Sequence, residues 1–227
     1  MNCCEDTISR YFELVKKRPD LFVQSETLPI VLDEDEMRAF ARDTGEKIGL
    51  VVERCPWWLV VVDLCEGANG QRYSYGRVVY CNPKSNGGAA LIKCEGKFGL
   101  LKVYRHGPRV ASIEIPRGFH EEKGFSLEEN ITKEIFEELG IAPENCRVQK
   151  LGETRPDAGL TSGSVSIFLA EIMDGTDIRT TGEEGVLGFD WYTEEQFLDA
   201  VRCGNITDGF TLSAYALYIS SKKVHNI

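Results

Sequence analysis

Apolar residues recur along the chain with two spacings, and the alternation between them outlines the elements. Ile8, Tyr11, Phe12 and Val15 stand three or four apart, which predicts an amphipathic helix over residues 5–17, stopped by Pro19. A second helix is expected from Asp33, with Glu36 placed as in a capping box. Met37, Phe40 and Ala41 share one of its faces, and Gly45 terminates it. Three β-rich runs follow at 48–53, 57–64 and 73–81, with a Gly/Asn turn at 66–71, so this part reads as two helices and an antiparallel meander. In such a strand the adjacent Trp57 and Trp58 point to opposite faces. The run Asn-Pro-Lys-Ser-Asn-Gly-Gly at 82–88 is the best boundary in the chain, separating a region 1–85 from a domain 86–227.

Beyond that boundary, strands are expected at 89–94 and 100–104 around the turn Glu95-Gly96-Lys97, then at 109–115. The next helix has the clearest punctuation: Ser126 as cap, Glu129 completing the box, Gly140 as left-handed terminator and Pro143 just beyond. Apolar strands are expected at 165–172 and 188–192, and helices at 194–202 and 212–221. The class is α+β.

Composition narrows the function. With 36 Asp plus Glu against 26 Lys plus Arg, the formal charge is -10, which argues against a nucleic-acid surface built on phosphate neutralisation. No apolar run reaches the ~18–20 residues that cross a bilayer. Glu5 and Asp6 occupy the start, with no apolar signal core, so a cytoplasmic protein is expected. The eight cysteines are scattered without a C-x-x-C pair. They are expected to be reduced and mostly buried, and the three histidines show no zinc-ligand spacing relative to them.

The helix at 127–139 carries the chemistry. Leu127, Ile131, Ile135 and Leu139 recur every four residues and form an apolar stripe, while Glu134, Glu137 and Glu138 crowd a neighbouring face at i, i+3 and i+4. Like charges this close repel, and at the C-terminal end of a helix they also oppose its dipole. Divalent ions that take oxygen ligands, such as Mg²⁺, would turn that repulsion into binding.

From Gly118 to Ile141 the chain resembles the Nudix box, G-x5-E-x7-R-E-U-x-E-E-x-G-U with U a bulky aliphatic residue. Lys133-Glu134-Ile135-Phe136-Glu137-Glu138-Leu139-Gly140-Ile141 matches every position of the second half except the leading Arg. Lys133 keeps the charge there without the planar guanidinium fork. Fourteen residues rather than thirteen separate Gly118 from Lys133, and the first-half Glu falls on Gly124 or Phe125, with Glu121 and Glu122 as substitutes. Leu101-Lys102-Val103-Tyr104-Arg105, Ile113-Glu114-Ile115-Pro116, the Pro156 loop and the run 204–212 are similar to the ADP-ribose pyrophosphatase branch, although Gly163 replaces a glutamate usual after that loop.

The resemblance implies an α/β/α sandwich with a mixed sheet, preceded by a small helical and antiparallel β region that would extend the catalytic sheet or make a homodimer contact. It implies metal-dependent hydrolysis of a nucleoside diphosphate linked to another moiety, ADP-ribose or an ADP-sugar first, with another nucleotide sugar, a dinucleotide or NADH as alternatives. A Nudix domain that binds such a ligand without turnover is the third reading. Mg²⁺, with Mn²⁺ as substitute, would sit on Glu134, Glu137, Glu138 and the Gly118 carbonyl. Arg105, Glu114, Arg117 and Pro156 would contact a small nucleotide substrate, helped by Lys102. Lys133 would orient the glutamates, and Glu184 or Glu183, in the loop 177–185, would be the general base.

Overall fold

The computed structural model describes residues 6–54, 57–81, 87–118, 126–180, 182 and 185–224. The chain divides into two compact units, one of Met1–Pro83 with Asp157–Gly163, the other of Lys84–Pro156 with Ser164–Ile227.

The first unit holds α1 (Thr7–Lys17), α2 (Glu34–Thr44) and the strands β1 (Gly49–Arg54), β2 (Trp58–Glu66) and β3 (Arg72–Tyr80). Both helices start on an aspartate that accepts backbone N–H groups, Asp6 for α1 and Asp33 for α2, and α2 ends on Gly45 in the left-handed region. The three strands pair antiparallel in the order β1-β2-β3 and form their own sheet. Among the described residues they do not extend the larger sheet, one of the two uses expected of this region. Tyr11, Phe22, Met37, Leu59, Val61 and Val79 form the core. Beside it lies a buried carboxylate, Asp63, which accepts from the Tyr11 hydroxyl at 2.6 Å and from Arg77 Nε at 2.5 Å. The segment Asp157–Gly163 adds to β3: Val78 bridges Thr161 in parallel, and the Tyr75 hydroxyl donates to the Gly159 carbonyl at 2.5 Å. Trp57 is exposed and Trp58 half-buried.

The second unit is a seven-stranded mixed sheet: β4 (Gly87–Cys94), β5 (Lys97–Arg105), β6 (Val110–Glu114), β7 (Arg117–Gly118), β8 (Cys146–Thr154), β9 (Val165–Ile172) and β10 (Val186–Tyr192). The main order is β10-β5-β4-β9-β8, with β6 on β5 and β7 on β4; β4 and β9 are the parallel pair. The β4–β5 hairpin turns on Glu95 and Gly96, both at positive φ, which a primed turn needs. Strand period 2 sends alternate residues to opposite layers. Ala89 and Leu91, with Phe98, Leu100, Ile167 and Leu169, pack on α4 (Glu194–Arg202) and α5 (Gly209–Val224) through Phe197, Ala214 and Tyr218. Ala90 and Ile92, with Leu101, Val103, Phe168 and Ala170, pack on α3 (Leu127–Leu139) through Ile131, Ile135 and Leu139. Helices therefore cover both faces of a mixed sheet, the expected sandwich.

Several elements depart from the sequence expectation, among them the short strand β7 and the starts of β5 at Lys97 and β10 at Val186. The sequence pattern does not show β8, an edge strand whose period is broken by an irregularity between Lys150 and Gly152, where Lys150 pairs with Glu153 at 2.8 Å. Helix α5 begins at Gly209 rather than 212. The cysteines are less buried than expected: among those described only Cys65 is fully buried, and Cys203 is exposed. Partial burial still pushes the Cys146 thiol up to about 11. Among the described residues no helix is long and apolar enough to cross a membrane.

Candidate active site

Helix α3 sets the site because its termini are fixed independently of it. Ser126 Oγ accepts from Glu129 N at 3.1 Å and Ser126 N donates to the Glu129 carboxylate at 2.7 Å, a complete capping box. Gly140 at φ 66 ends the helix, its N–H donating to the Phe136 carbonyl at 2.8 Å. Burial of Ile131, Ile135 and Leu139 then fixes the rotation of the helix about its axis, and with it the bearing of the glutamates. Glu134, Glu137 and Glu138 are all partly buried along the margin of the apolar stripe, and Glu138 Oε2 is enclosed.

Glu134 lies against β7. A β-carbon placed on Gly118 would overlap the Glu134 carboxyl carbon and both its oxygens. Gly118 in turn pairs with Gly88 of β4, and a β-carbon on Gly87 would come within 2.9 Å of the Gly118 carbonyl oxygen. At Gly87 the close approach of backbone calls for glycine, while at Gly118 a side chain would displace the Glu134 carboxylate, so Gly87, Gly118 and Glu134 form a cradle with no side chain between carboxylate and backbone. Lys133, exposed to solvent, reaches half-buried Glu137 at 3.7 Å, an i,i+4 pair along α3. There Lys133 also lines an open groove of about 600 Å³ with Glu128, Glu129, Thr132, Phe136, Pro143 and Val148.

The strand pair before the box brings Arg105, Glu114 and Arg117 together. Glu114 is 2 % exposed, and its Oε2 accepts from Arg105 Nε at 2.8 Å and Nη2 at 2.5 Å, with Arg117 Nη2 at 3.1 Å. Burial pushes the Glu114 carboxyl upward, but the Arg105 hydrogen bonds and the Arg117 charge outweigh it, so it sits below the usual carboxylate range. Arg117 also donates to Asp208 at 3.0 Å and lies 4.5 Å over the Phe210 ring. Two guanidinium groups and two carboxylates thus make a cluster beside Gly118. Asp208 was not foreseen; the signal available was Asp208-x-x-Thr211 ahead of an apolar run, a helix-start pattern.

Pro156 lies in an exposed bend, the last residue before the chain leaves this unit. Lys102 is exposed on β5. Glu183 and Glu184, and with them the box loop holding Glu121, Glu122, Gly124 and Phe125, fall outside the described residues. Among the described residues no three His, Cys, Asp or Glu side chains are gathered tightly enough to hold a metal ion. The donor set on α3 nevertheless fits a hard divalent cation in type, since it is all carboxylate oxygen, with the Glu134 carboxylate seated against Gly118.

No protein-family model and no curated protein matches this chain. Its fold is matched by a solved structure described as the crystal structure of an ADP compounds hydrolase, with a TM-score of 0.61 and 16% identity over 79% of this chain and 96% of that one. At that identity the likeness is one of fold.

Proposed function

We propose that this protein is a Nudix-type hydrolase that cleaves the diphosphate of an ADP compound, with ADP-ribose or an ADP-sugar as substrate and AMP plus a sugar phosphate as products. The observation that carries the reading is the Glu134 carboxylate seated on Gly118, at the two places where the box pattern requires a carboxylate and a glycine. The fold it shares with a hydrolase of ADP compounds supports the substrate class.

Glu134, Glu137, Glu138 and the Gly118 carbonyl would hold Mg²⁺, or Mn²⁺ in its place, which when bound neutralises the diphosphate and acidifies a water. The side chains do the rest by placement and charge. The i, i+3, i+4 spacing on a helix anchored at both ends keeps three anionic groups within one turn. Lys133 offsets one of them from outside. Arg105, with its side chain 35% exposed and Glu114 as its carboxylate partner, presents positive charge that an anionic substrate can share. Glu184, with Glu183 as substitute, is assigned as the base that takes the proton of the attacking water. A substrate phosphate would be recognised here by electrostatics, in keeping with phosphoryl transfer, where positioning and charge account for most of the rate.

The test is a panel of ADP-ribose, ADP-sugars, dinucleotides and NADH with Mg²⁺ or Mn²⁺, read by phosphate release after phosphatase coupling. Turnover of ADP-ribose or an ADP-sugar that EDTA abolishes is expected. Hydrolysis persisting without metal would remove this mechanism. Tight binding of ADP-ribose with no turnover would leave a ligand sensor instead.

A further inference from the structure

A single carboxylate at the start of α5 ties down both ends of the segment that leads to Gly118. Asp208 Oδ2 accepts from Thr211 N at 2.9 Å and from Thr211 Oγ1 at 2.8 Å, capping the helix. Thr211 is fully buried, and its Oγ1 accepts from the Ile115 N–H at 3.0 Å. The other oxygen of Asp208, Oδ1, accepts from Arg117 Nη1 at 3.0 Å. Ile115 is therefore held through its backbone and Arg117 through its side chain, with Pro116 between them. Gly118 comes next and has no side chain with which to anchor itself. Its place under Glu134 follows from the residues before it and from its pairing with Gly88.

We propose that Asp208 is a positioning residue for the hydrolysis described above, an assignment whose catalytic part rests on that reading. By gripping Arg117 and, through Thr211, Ile115, it fixes Gly118 against the Glu134 carboxylate. It also gives Arg117 a second anionic partner, so that this guanidinium acts as a strut between Glu114 and Asp208, while Arg105 keeps Glu114 as its carboxylate partner. A helix cap alone would need Oδ2; the bond from Arg117 to Oδ1 is what a cap does not explain.

Asp208→Asn separates the two roles. The amide oxygen still accepts from Thr211, so the helix stays capped, whereas the NH₂ group turned to Arg117 cannot accept from it. Asp208→Ser, a second good cap, carries the same test should the first variant fold poorly. Backbone amide exchange at Ile115, Arg117 and Gly118 should rise about tenfold in both variants, with the global melting temperature falling by no more than about 3–6 °C, since one charge-assisted bond is lost locally. On ADP-ribose with Mg²⁺, kcat should fall by about tenfold or more while KM changes less than about twofold, the mark of misplacement rather than lost binding. Added to Arg117→Gln, Asp208→Asn should cost nothing further. Unchanged exchange in both variants, or losses in kcat that simply add to those of Arg117→Gln, would overturn the assignment. A wild-type protein that hydrolyses no ADP compound would remove the diphosphate reading, and the exchange result would still decide whether Asp208 locks this segment.

Discussion

The carboxylate of Glu134 occupies the space into which a side chain at Gly118 would project. Helix α3 and the short strand β7 can approach this closely because the residue beneath the glutamate ends at its α-carbon. Gly118 is not at positive φ, so its role is clearance and not backbone conformation.

Gly118→Ala should therefore fold with near-native stability and displace the glutamate. Loss of one fixed electrostatic contact of this kind costs about a hundredfold or more in turnover. A melting curve beside a steady-state assay on the best substrate of the panel checks it: an alanine variant with full activity would show that the contact has no part in the chemistry.

The Glu114 carboxyl should make stability depend on pH in a defined sense. Its folded-state pKa is lowered, so its contribution is fully present above the unfolded value near 4.5 and is lost as pH falls through the folded one. Glu114→Gln should cost about 2 kcal/mol at pH 7, less than for a wholly buried pair because both arginines reach solvent. Denaturant titrations of the two proteins at pH 7 and at pH 3 should show the gap narrowing in acid. A gap that widens there would reverse the sign assigned to this group.

Ser126→Ala should loosen the first turn of α3. The capping box loses its Ser126 oxygen, at a cost of about 1 kcal/mol. For a chain of this size that is roughly 2–4 °C in melting temperature. Calorimetry showing no shift would mean that the Glu129 half of the box is sufficient.

In the N-terminal unit, Tyr11→Phe removes the hydroxyl that donates to buried Asp63 at 2.6 Å. Burial first, and then the Asp63 charge, hold the Tyr11 hydroxyl far above its ordinary pKa, so it stays a donor at every pH of interest. The variant should lose about 1–2 kcal/mol, with Arg77 left as a partner of Asp63. Unchanged denaturant midpoints would show that water replaces the phenol at no cost.

Much of this arrangement was legible in local sequence. The helices α1, α2, α3 and α4 and the strand β9 stand where periodicity and caps put them, because a cap, a terminator and an apolar stripe are all properties of neighbouring residues. The spacing of Glu134, Glu137 and Glu138 likewise follows from helical geometry alone. Strand β8 is not legible locally because the irregularity between Lys150 and Gly152 breaks its period, and the role of Asp208 is not because its partner Arg117 lies 91 positions earlier in the chain.

The amino-acid order by itself determined that an acidic turn would form on a capped helix, since every force involved acts over four or five residues. The tertiary structure alone decided that Glu134 meets Gly118, that Glu114 is buried between two arginines, and that residues 157–163 belong with the first unit. Those outcomes depend on which faces pack, and packing joins residues that no local rule relates.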